Sequence, residues 1–203
     1  MNRSGRNLVV LLLVAFSGAQ SAPPDCTCAA SKLKGGWCKV CRVGHLASIK
    51  IESEMLFENL DAHGHDIDPS RLQCEVCKKA IKTDGYCDAC RMGFVRGLAY
   101  LSRLTYHLAR GVARDVPAIQ CATCRNNAVH FGWCDLCKVG MIGNVTIAEK
   151  GDFERAVPEF QRLLEARKMM KTCEMCAVAL FADGYCLTCK KSYLGGKVVS
   201  AAP

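Results

Sequence analysis

The sequence contains none of the motifs from which an enzyme could be argued. There is no Ser/His/Asp arrangement, no glycine-rich phosphate loop and no pair of carboxylates spaced for general acid–base work. None of its Cys-x-x-Cys motifs is followed by histidine, as covalently attached haem requires. None sits in the strand–helix–strand context that thioredoxin-type redox chemistry needs. We therefore predict that the protein has no catalytic activity.

Long apolar runs are also lacking. The longest is the uncharged stretch 8–16, which is far shorter than the ~20 residues needed to span a bilayer. Arg3 and Arg6 precede it and the small residues of 17–22 follow it, so residues 1–22 are predicted to be a secretory signal peptide. No cysteine marks the cleavage point, which argues against a lipoprotein anchor. We expect an exported protein, periplasmic or extracellular, with no transmembrane span after cleavage.

Cysteine is abundant, and one repeat accounts for every copy. The 16 cysteines fall into four quartets, and nine residues separate the second cysteine from the third in each quartet. Three quartets begin with Cys-x-x-Cys, whereas the first begins with Cys-x-Cys. The quartets are Cys26, Cys28, Cys38 and Cys41; Cys74, Cys77, Cys87 and Cys90; Cys121, Cys124, Cys134 and Cys137; and Cys173, Cys176, Cys186 and Cys189.

Two cysteine pairs close together suit a tetrahedral thiolate site. Each pair is expected to form a tight turn, and a short hairpin between the turns would bring four sulfurs to Zn²⁺ at ~2.3 Å. The segment 78–86 fits that hairpin, because Asp84-Gly85 is a turn signal. We therefore predict that all sixteen cysteines are metal ligands and that the chain holds about four Zn²⁺. Disulfides, which an exported chain would favour, and iron in a rubredoxin-like site remain alternatives.

Three further positions recur around the quartets. A glycine and then an aromatic residue precede the third cysteine, and we expect the aromatic residue to shield the site from water. A basic residue follows the fourth cysteine, where a cation would help to stabilise the thiolates. A glycine lies three residues past the fourth cysteine in three copies. The aromatic residues are Trp37, Tyr86, Trp133 and Tyr185; the basic residues are Arg42, Arg91, Lys138 and Lys190; the third set is Gly44, Gly93 and Gly140, with Ser192 in the fourth copy.

This pattern resembles the zinc-ribbon superfamily, particularly the short ribbons that occur in tandem. The resemblance covers four segments of about sixteen residues each, and the common Cys-Pro-x-Cys-Gly form is absent. It implies a small metal-stabilised α+β fold, in which four tandem zinc-ribbon β-hairpin modules are joined by short strand/helix connectors. Ribbons of this size cannot fold on apolar burial alone and should unfold without metal. The predicted segments are the signal peptide 1–22, ribbons at 23–45, 74–93, 121–140 and 173–192, connectors at 46–73, 94–120 and 141–172, and a tail at 193–203.

The first connector carries a strand, a helix and a polar loop. Alternating residues predict the strand at 47–52, and Leu56 and Leu60 predict the helix at 54–62. Asp61, His63, His65, Asp66 and Asp68 then offer ligands for a further metal site. A solvated loop closed by Pro69 is the favoured interpretation, because the two histidines lack a defined set of partners.

The second connector is predicted to be one long helix from Phe94 to Gly111, because leucines recur at three- and four-residue spacing. Arg96, Arg103 and Arg110 would share its wet side, and His107 is expected to be structural.

The third connector is predicted to hold a strand at 145–147 and a helix from near Pro158 to just before Cys173. The tail is expected either to pair as a strand through Val198 and Val199 or to fray.

The net charge does not favour a nucleic-acid partner. The formal charge is +8, and loss of Arg3 and Arg6 with the signal peptide leaves +6. Each zinc bound by four thiolates adds −2, so four centres bring the total near −2. This weakens the case for binding phosphates.

We therefore expect an exported zinc-binding repeat protein that acts as a structural or protein-interaction module of the cell envelope. A protein that binds, buffers or delivers a soft metal is the alternative, and a disulfide-framework or thiol-redox protein is a further one.

Overall fold

The structure, a computed structural model, describes residues 26–201. These residues form four copies of one small α+β unit. The predicted signal peptide lies outside these residues. The helices are Cys28–Lys34 (α1), Glu54–Leu60 (α2), Glu75–Ala80 (α3), Arg103–Arg110 (α4), Ala122–Asn127 (α5), Lys150–Met169 (α6) and Glu174–Ala182 (α7). The strands are Gly36–Cys38 (β1), Val43–Leu46 (β2), Ile49–Ile51 (β3), His65–Asp66 (β4), Tyr86–Cys87 (β5), Met92–Val95 (β6), Leu98–Tyr100 (β7), Val112–Ala113 (β8), Phe131–Cys134 (β9), Val139–Ile142 (β10), Val145–Ile147 (β11), Tyr185–Cys186 (β12), Lys191–Leu194 (β13) and Lys197–Ala201 (β14). None of the helices within 26–201 is both long and apolar enough to cross a bilayer.

Each unit consists of a short helix followed by three antiparallel strands, and in the first three units a second helix follows. The units span 26–60, 65–110, 112–169 and 173–201. The first and fourth sheets run β1-β2-β3 and β12-β13-β14. The second and third gain a strand from the preceding linker, giving the orders β4-β7-β6-β5 and β8-β11-β10-β9. The mixed α+β class with small antiparallel sheets is as predicted.

The segment between the cysteine pairs is not the predicted hairpin. In the second unit it begins with α3 and ends with β5, and Asp84 lies between them in the left-handed region with φ 49°. Asp84-Gly85 therefore follows a helix and does not turn a hairpin. The hairpin of each unit forms instead around the third and fourth cysteines, between β5 and β6 in the second unit.

The predicted long helix at 94–111 is also wrong. Phe94 belongs to β6, and the chain reverses at Arg96 and Gly97, whose φ values are 52° and 81°. This two-residue turn pairs Val95 with Leu98, as expected for a tight β-hairpin. Only Arg103–Arg110 is helical, so Arg96 does not share a helix face with the other two arginines.

The third connector differs from its prediction at one end. Strand β11 is present as predicted, but α6 begins eight residues before Pro158 and contains it. Phe153 and Ala156 are buried in the turns before the proline, and their burial holds those turns helical. The strand predicted at 47–52, the helix predicted at 54–62 and the strand in the tail are confirmed as β3, α2 and β14.

The units are not separate modules, because the largest apolar cluster takes residues from all of them. Helices α2, α4, α6 and α7 meet there, and the fully buried members include Leu60, Leu104, Phe160 and Leu163. Burying a side chain of this kind contributes roughly 1.5–3 kcal/mol. The second and third units also have small clusters of their own next to their cysteines. A conventional apolar interior therefore stands beside the cysteine quartets, contrary to the expectation from sequence.

Polar contacts also join units that are distant in sequence. The Ser53 hydroxyl, which caps α2, donates to the carboxylate of Glu174 at the start of α7. The side-chain amide of buried Asn144 donates to the Leu33 and Arg114 carbonyls. These contacts connect the first unit with the fourth and with the third.

Candidate metal centres

The structure brings the four sulfurs of every quartet together. Within each quartet the Sγ atoms all lie within 4.8 Å of one another. The first and third sulfurs are 3.8 Å apart in the second, third and fourth units. A tetrahedron with ~2.3 Å metal–sulfur bonds has edges of about 3.8 Å, whereas a disulfide joins its sulfurs at ~2.05 Å. The sixteen cysteines are free thiols, so the chain carries four tetracysteine groups that could hold metal ions.

The same elements position the ligands in the second, third and fourth units. In the second unit Cys74 caps the N-terminus of α3, Cys77 lies in its first turn and Cys87 ends β5. Cys90 lies in the turn of the following hairpin. The second and third cysteines of these quartets are buried, the first is partly buried and the fourth is exposed. Each group is thus closed on its inner side and faces solvent on its outer side.

Backbone N–H groups in the hairpin turns point at sulfur. Cys137 donates its N–H to Cys134 Sγ at 3.5 Å, and Cys189 donates to Cys186 Sγ at 3.3 Å. Hydrogen bonds of this kind stabilise a thiolate over a thiol. The hairpin turn of these two units therefore presents a donor to the third sulfur of its quartet.

The thiols within one quartet differ in acidity. The N–H of Cys124 lowers the pKa of Cys121 to about 6, and the N–H of Cys77 lowers the pKa of Cys74 to about 7. Burial raises the pKa of Cys77 and Cys124 well above the usual range. Protons thus remain on Cys77 and Cys124, and a divalent cation at the centre would replace them.

The first quartet departs from this geometry. The sulfurs of Cys26 and Cys41 are 3.2 Å apart, which is shorter than the tetrahedral edge seen in the other three. Because one residue is missing between Cys26 and Cys28, Thr27 rather than a cysteine caps the helix. Cys28 is only partly buried, unlike the second cysteine of the other quartets. This group is the most open of the four.

The aromatic residues before the third cysteines do not cover the sulfurs. Trp37 and Cys38 are neighbours in β1, so their side chains point to opposite faces of the sheet. Trp37 lies across from Gly44 and packs on the ring of Phe57 in the following helix. The same pairs recur in the next two units at centroid distances of 5.2 Å for Tyr86–Tyr106 and 5.9 Å for Trp133–Phe153. These three aromatic residues attach the following helix to the sheet in the first three units.

The glycine three residues after the fourth cysteine is explained by the same packing of a helix aromatic on the sheet. A Cβ on Gly44, Gly93 or Gly140 would overlap the ring of Phe57, Tyr106 or Phe153, respectively. No helix follows β14 within the described residues, and Ser192 takes the glycine position there. Sequence reasoning missed the helix aromatics, although each lies thirteen residues after its glycine. That constant interval was the available signal.

The basic residue after each fourth cysteine also shapes the backbone of the hairpin turn. Arg42, Arg91, Lys138 and Lys190 adopt the left-handed region, with φ values of 52–54°. They close the hairpin turn that presents the fourth cysteine. The Arg91 guanidinium pairs with Asp183 of the fourth unit at 3.1 Å, so its charge joins two units as well. The charge of Arg91 is therefore accounted for by its pair with Asp183, and the stabilisation of thiolates by these cations stays a prediction.

The fold and the four centres define the class of this protein: a cysteine-rich α+β repeat protein with four ribbon-like tetracysteine groups that could hold metal. In the comparisons with known proteins, no family model, no curated protein and no solved structure matches the chain.

Proposed function

We propose that each tetracysteine group binds one Zn²⁺ and that the protein is a non-catalytic, exported zinc-binding protein that presents its outer surface to a protein partner in the cell envelope. The observation that carries the zinc proposal is the 3.8 Å separation of first and third sulfurs in three quartets. Four thiolates without an open position are typical of structural zinc sites. The bound ion would tie a helix N-terminus to a hairpin turn in each unit.

Metal analysis with a thiol count tests the zinc proposal. The exported form, purified without added metal, should contain about four zinc per chain and should release sixteen thiols on chelation and denaturation. Iron in place of zinc would assign rubredoxin-like sites. Absence of both metal and free thiols would establish a disulfide framework and overturn the proposal.

A substitution in one turn tests the assignment of ligands. Cys189→Ser should remove one zinc equivalent, because the fourth ligand of the last quartet is lost. Thr188→Ser, in the same turn, changes a residue that is not in the quartet and should keep the full zinc content. Equal zinc content in the two variants would show that this quartet does not bind zinc.

Export and partner binding rest on different observations. Residues 1–22 have the composition of a signal peptide. Val40, Leu136 and Leu187 lie between the third and fourth cysteines of three units and are exposed, Leu136 by 83 %. The partner-binding part of the proposal is supported by the recurrence of an exposed apolar residue between these two cysteines in three units.

Cell fractionation tests the export part. The full chain should be recovered outside the cytoplasm, and a variant without residues 1–22 should be retained inside. Cytoplasmic recovery of the full chain would contradict export and would reopen nucleic-acid binding.

Metal buffering or delivery is the second candidate function, and the open first quartet favours it. Zinc in this group should transfer to a competing chelator faster than zinc in the other three, because its thiols are more accessible. Stopped-flow measurement with a chromophoric chelator should therefore include a fast zinc equivalent that Cys26→Ser removes. Release of all four ions at one rate would argue against a delivery site.

A further inference from the structure

Three potential metal ligands outside the quartets meet in the linker between the first and second units. Ligand atoms of Asp61, His63 and His65 all lie within 4.8 Å of one another. The Nε2 atom of His65 hydrogen-bonds with the Asp61 carboxylate. The His63 and His65 rings meet edge to face with centroids 4.8 Å apart. The loop that sequence reasoning treated as solvated therefore gathers its ligands at one place.

Backbone structure holds two of these side chains. Asp61 is buried and ends α2 in the left-handed region with φ 53°. Its second carboxylate oxygen accepts the N–H of Leu101 at 2.7 Å. His65 begins β4 and pairs with Ala99 of β7. A carboxylate that is already oriented by a hydrogen bond is the usual support for a metal ligand.

Gly64 allows the loop to close over the sheet. Its φ is 68°, and a Cβ there would lie 2.8 Å from Cζ of Tyr100. Only glycine fits this conformation at that distance. Gly64, which lies between the two histidines in sequence, therefore packs directly against the Tyr100 ring.

The second linker shares a short strand and a 3₁₀ turn with the first but has no ligands, and its Gly111 has a φ of −77° where Gly64 has 68°. It also contains a glycine, a two-residue strand (β8) and an aspartate before a 3₁₀ turn at Val116–Ala118. Aligned on Gly64 and Gly111, the positions of His63 and His65 are occupied by Arg110 and Val112. The fold therefore does not require histidines in a linker.

We propose that Asp61, His63 and His65 form a fifth metal site, for Zn²⁺ or a similar first-row divalent cation. One carboxylate and two imidazoles are a ligand set typical of zinc, with bonds of ~2.0–2.2 Å. Three protein ligands leave a position for water or an outside ligand, and the His65 side chain is 45 % exposed. This site is therefore open and exchangeable, whereas the tetracysteine groups have four protein ligands each.

Zinc binding by matched variants tests the site. In the full chain, His63→Ala/His65→Ala should bind one Zn²⁺ fewer than the wild type by calorimetric titration and elemental analysis. His130→Ala removes an exposed histidine of the third unit and should bind as the wild type does. Because both histidines of the site are exposed, the double variant should keep its circular dichroism spectrum. Equal stoichiometry in the double variant and the wild type would overturn the proposal.

Cobalt separates this site from the quartets. Co²⁺ bound by thiolates gives intense sulfur-to-metal charge-transfer absorption, whereas Co²⁺ bound by Asp and His does not. The wild type should take up one Co²⁺ equivalent without added charge-transfer intensity, and the double variant should not. If the quartets were disulfides, the charge-transfer bands would vanish and this histidine-dependent equivalent would remain, so the two proposals fail separately.

Discussion

At Gly93 a single methyl group decides whether α4 can reach its sheet. Gly93→Ala should force the Tyr106 ring off the strand and destabilise the protein by about 1–3 kcal/mol, a typical cost of overpacking. Thermal denaturation measures the effect. Gly151→Ala is the control, because a Cβ there meets only the flexible Arg155 side chain at 3.4 Å and alanine favours a helix. A Gly93→Ala variant as stable as the control would contradict the packing described for all three units.

His107 makes stability depend on pH. It is buried against Asp152, whose carboxylate is 3.7 Å away, with Arg103, Arg110 and Arg155 nearby, and burial lowers its pKa to about 4. The unfolded chain, with a histidine pKa near ~6.5, binds more protons between pH 6.5 and 4. Stability should therefore fall as pH drops through this window, by up to about 3 kcal/mol.

The comparison of His107→Gln with the wild type isolates this effect. Acid loss of metal and protonation of His45 occur in both proteins, so they cancel in the difference. The difference in unfolding free energy, measured by urea denaturation, should shift in favour of the variant from pH 7 to pH 4.5. A constant difference across that range would show that His107 does not titrate in the unfolded and folded states as described.

At this scale the sequence predicts the four cysteine quartets well and the packing partners poorly. The cysteines are found from spacing alone, because two local pairs are enough to define a quartet. Gly44 and Trp37 both contact Phe57, which lies in α2, so their roles are explained only by that helix. Such a contact appears in the sequence only as the constant interval of thirteen residues between glycine and helix aromatic, which is weaker than the adjacency of each aromatic residue to a cysteine.

Among the elements, α6 contains a proline, and replacing it should stabilise the folded protein. Pro158 cannot donate to the carbonyl one turn earlier, which costs up to ~3 kcal/mol inside a helix. Pro158→Ala should therefore raise the melting temperature. Pro117→Ala, in the 3₁₀ turn Val116–Ala118, should lower it slightly, since that proline occupies a first-turn position and restricts the unfolded chain. A lower melting temperature for Pro158→Ala would mean that the helix is interrupted there.

The elements that sequence reasoning missed are those in which two periodicities overlap. Leucines at three- and four-residue spacing across 94–111 suggested a helix, but β6, β7 and α4 all face apolar clusters and generate that spacing together. Arg96-Gly97 was the competing turn signal. The short strands β3 and β11 were predictable, because their alternation is undisturbed by a neighbouring element.

For the whole molecule, the cysteines divide into those that border the shared core and those that do not. Cys186 packs in the cluster that contains Phe160 and Leu163, whereas Cys87 packs in a separate cluster with Phe94. Cys186→Ser should therefore lower the stability of all four units. Cys87→Ser should lose exchange protection mainly within 74–100 and spare the rest.

Hydrogen exchange followed by peptide-resolved mass spectrometry distinguishes these patterns. Each variant should lose one zinc equivalent, so the two should differ only in how much of the chain loses exchange protection. Global loss of protection in both would show that the chain unfolds as one cooperative unit. Purely local loss in both would show that the shared core contributes little.

The hydrogen bond between Ser53 and Glu174, and the packing of α2 against α7 beside it, set an order of events during synthesis. The first helix to enter the shared core finds its partner only after more than a hundred further residues have left the ribosome. Contacts this distant slow folding, since a large loop must close before they form. Each quartet, by contrast, spans so few residues that it can close as it emerges. Each quartet would then bind its metal ion soon after synthesis, before α2 and α7 pack together in the shared core.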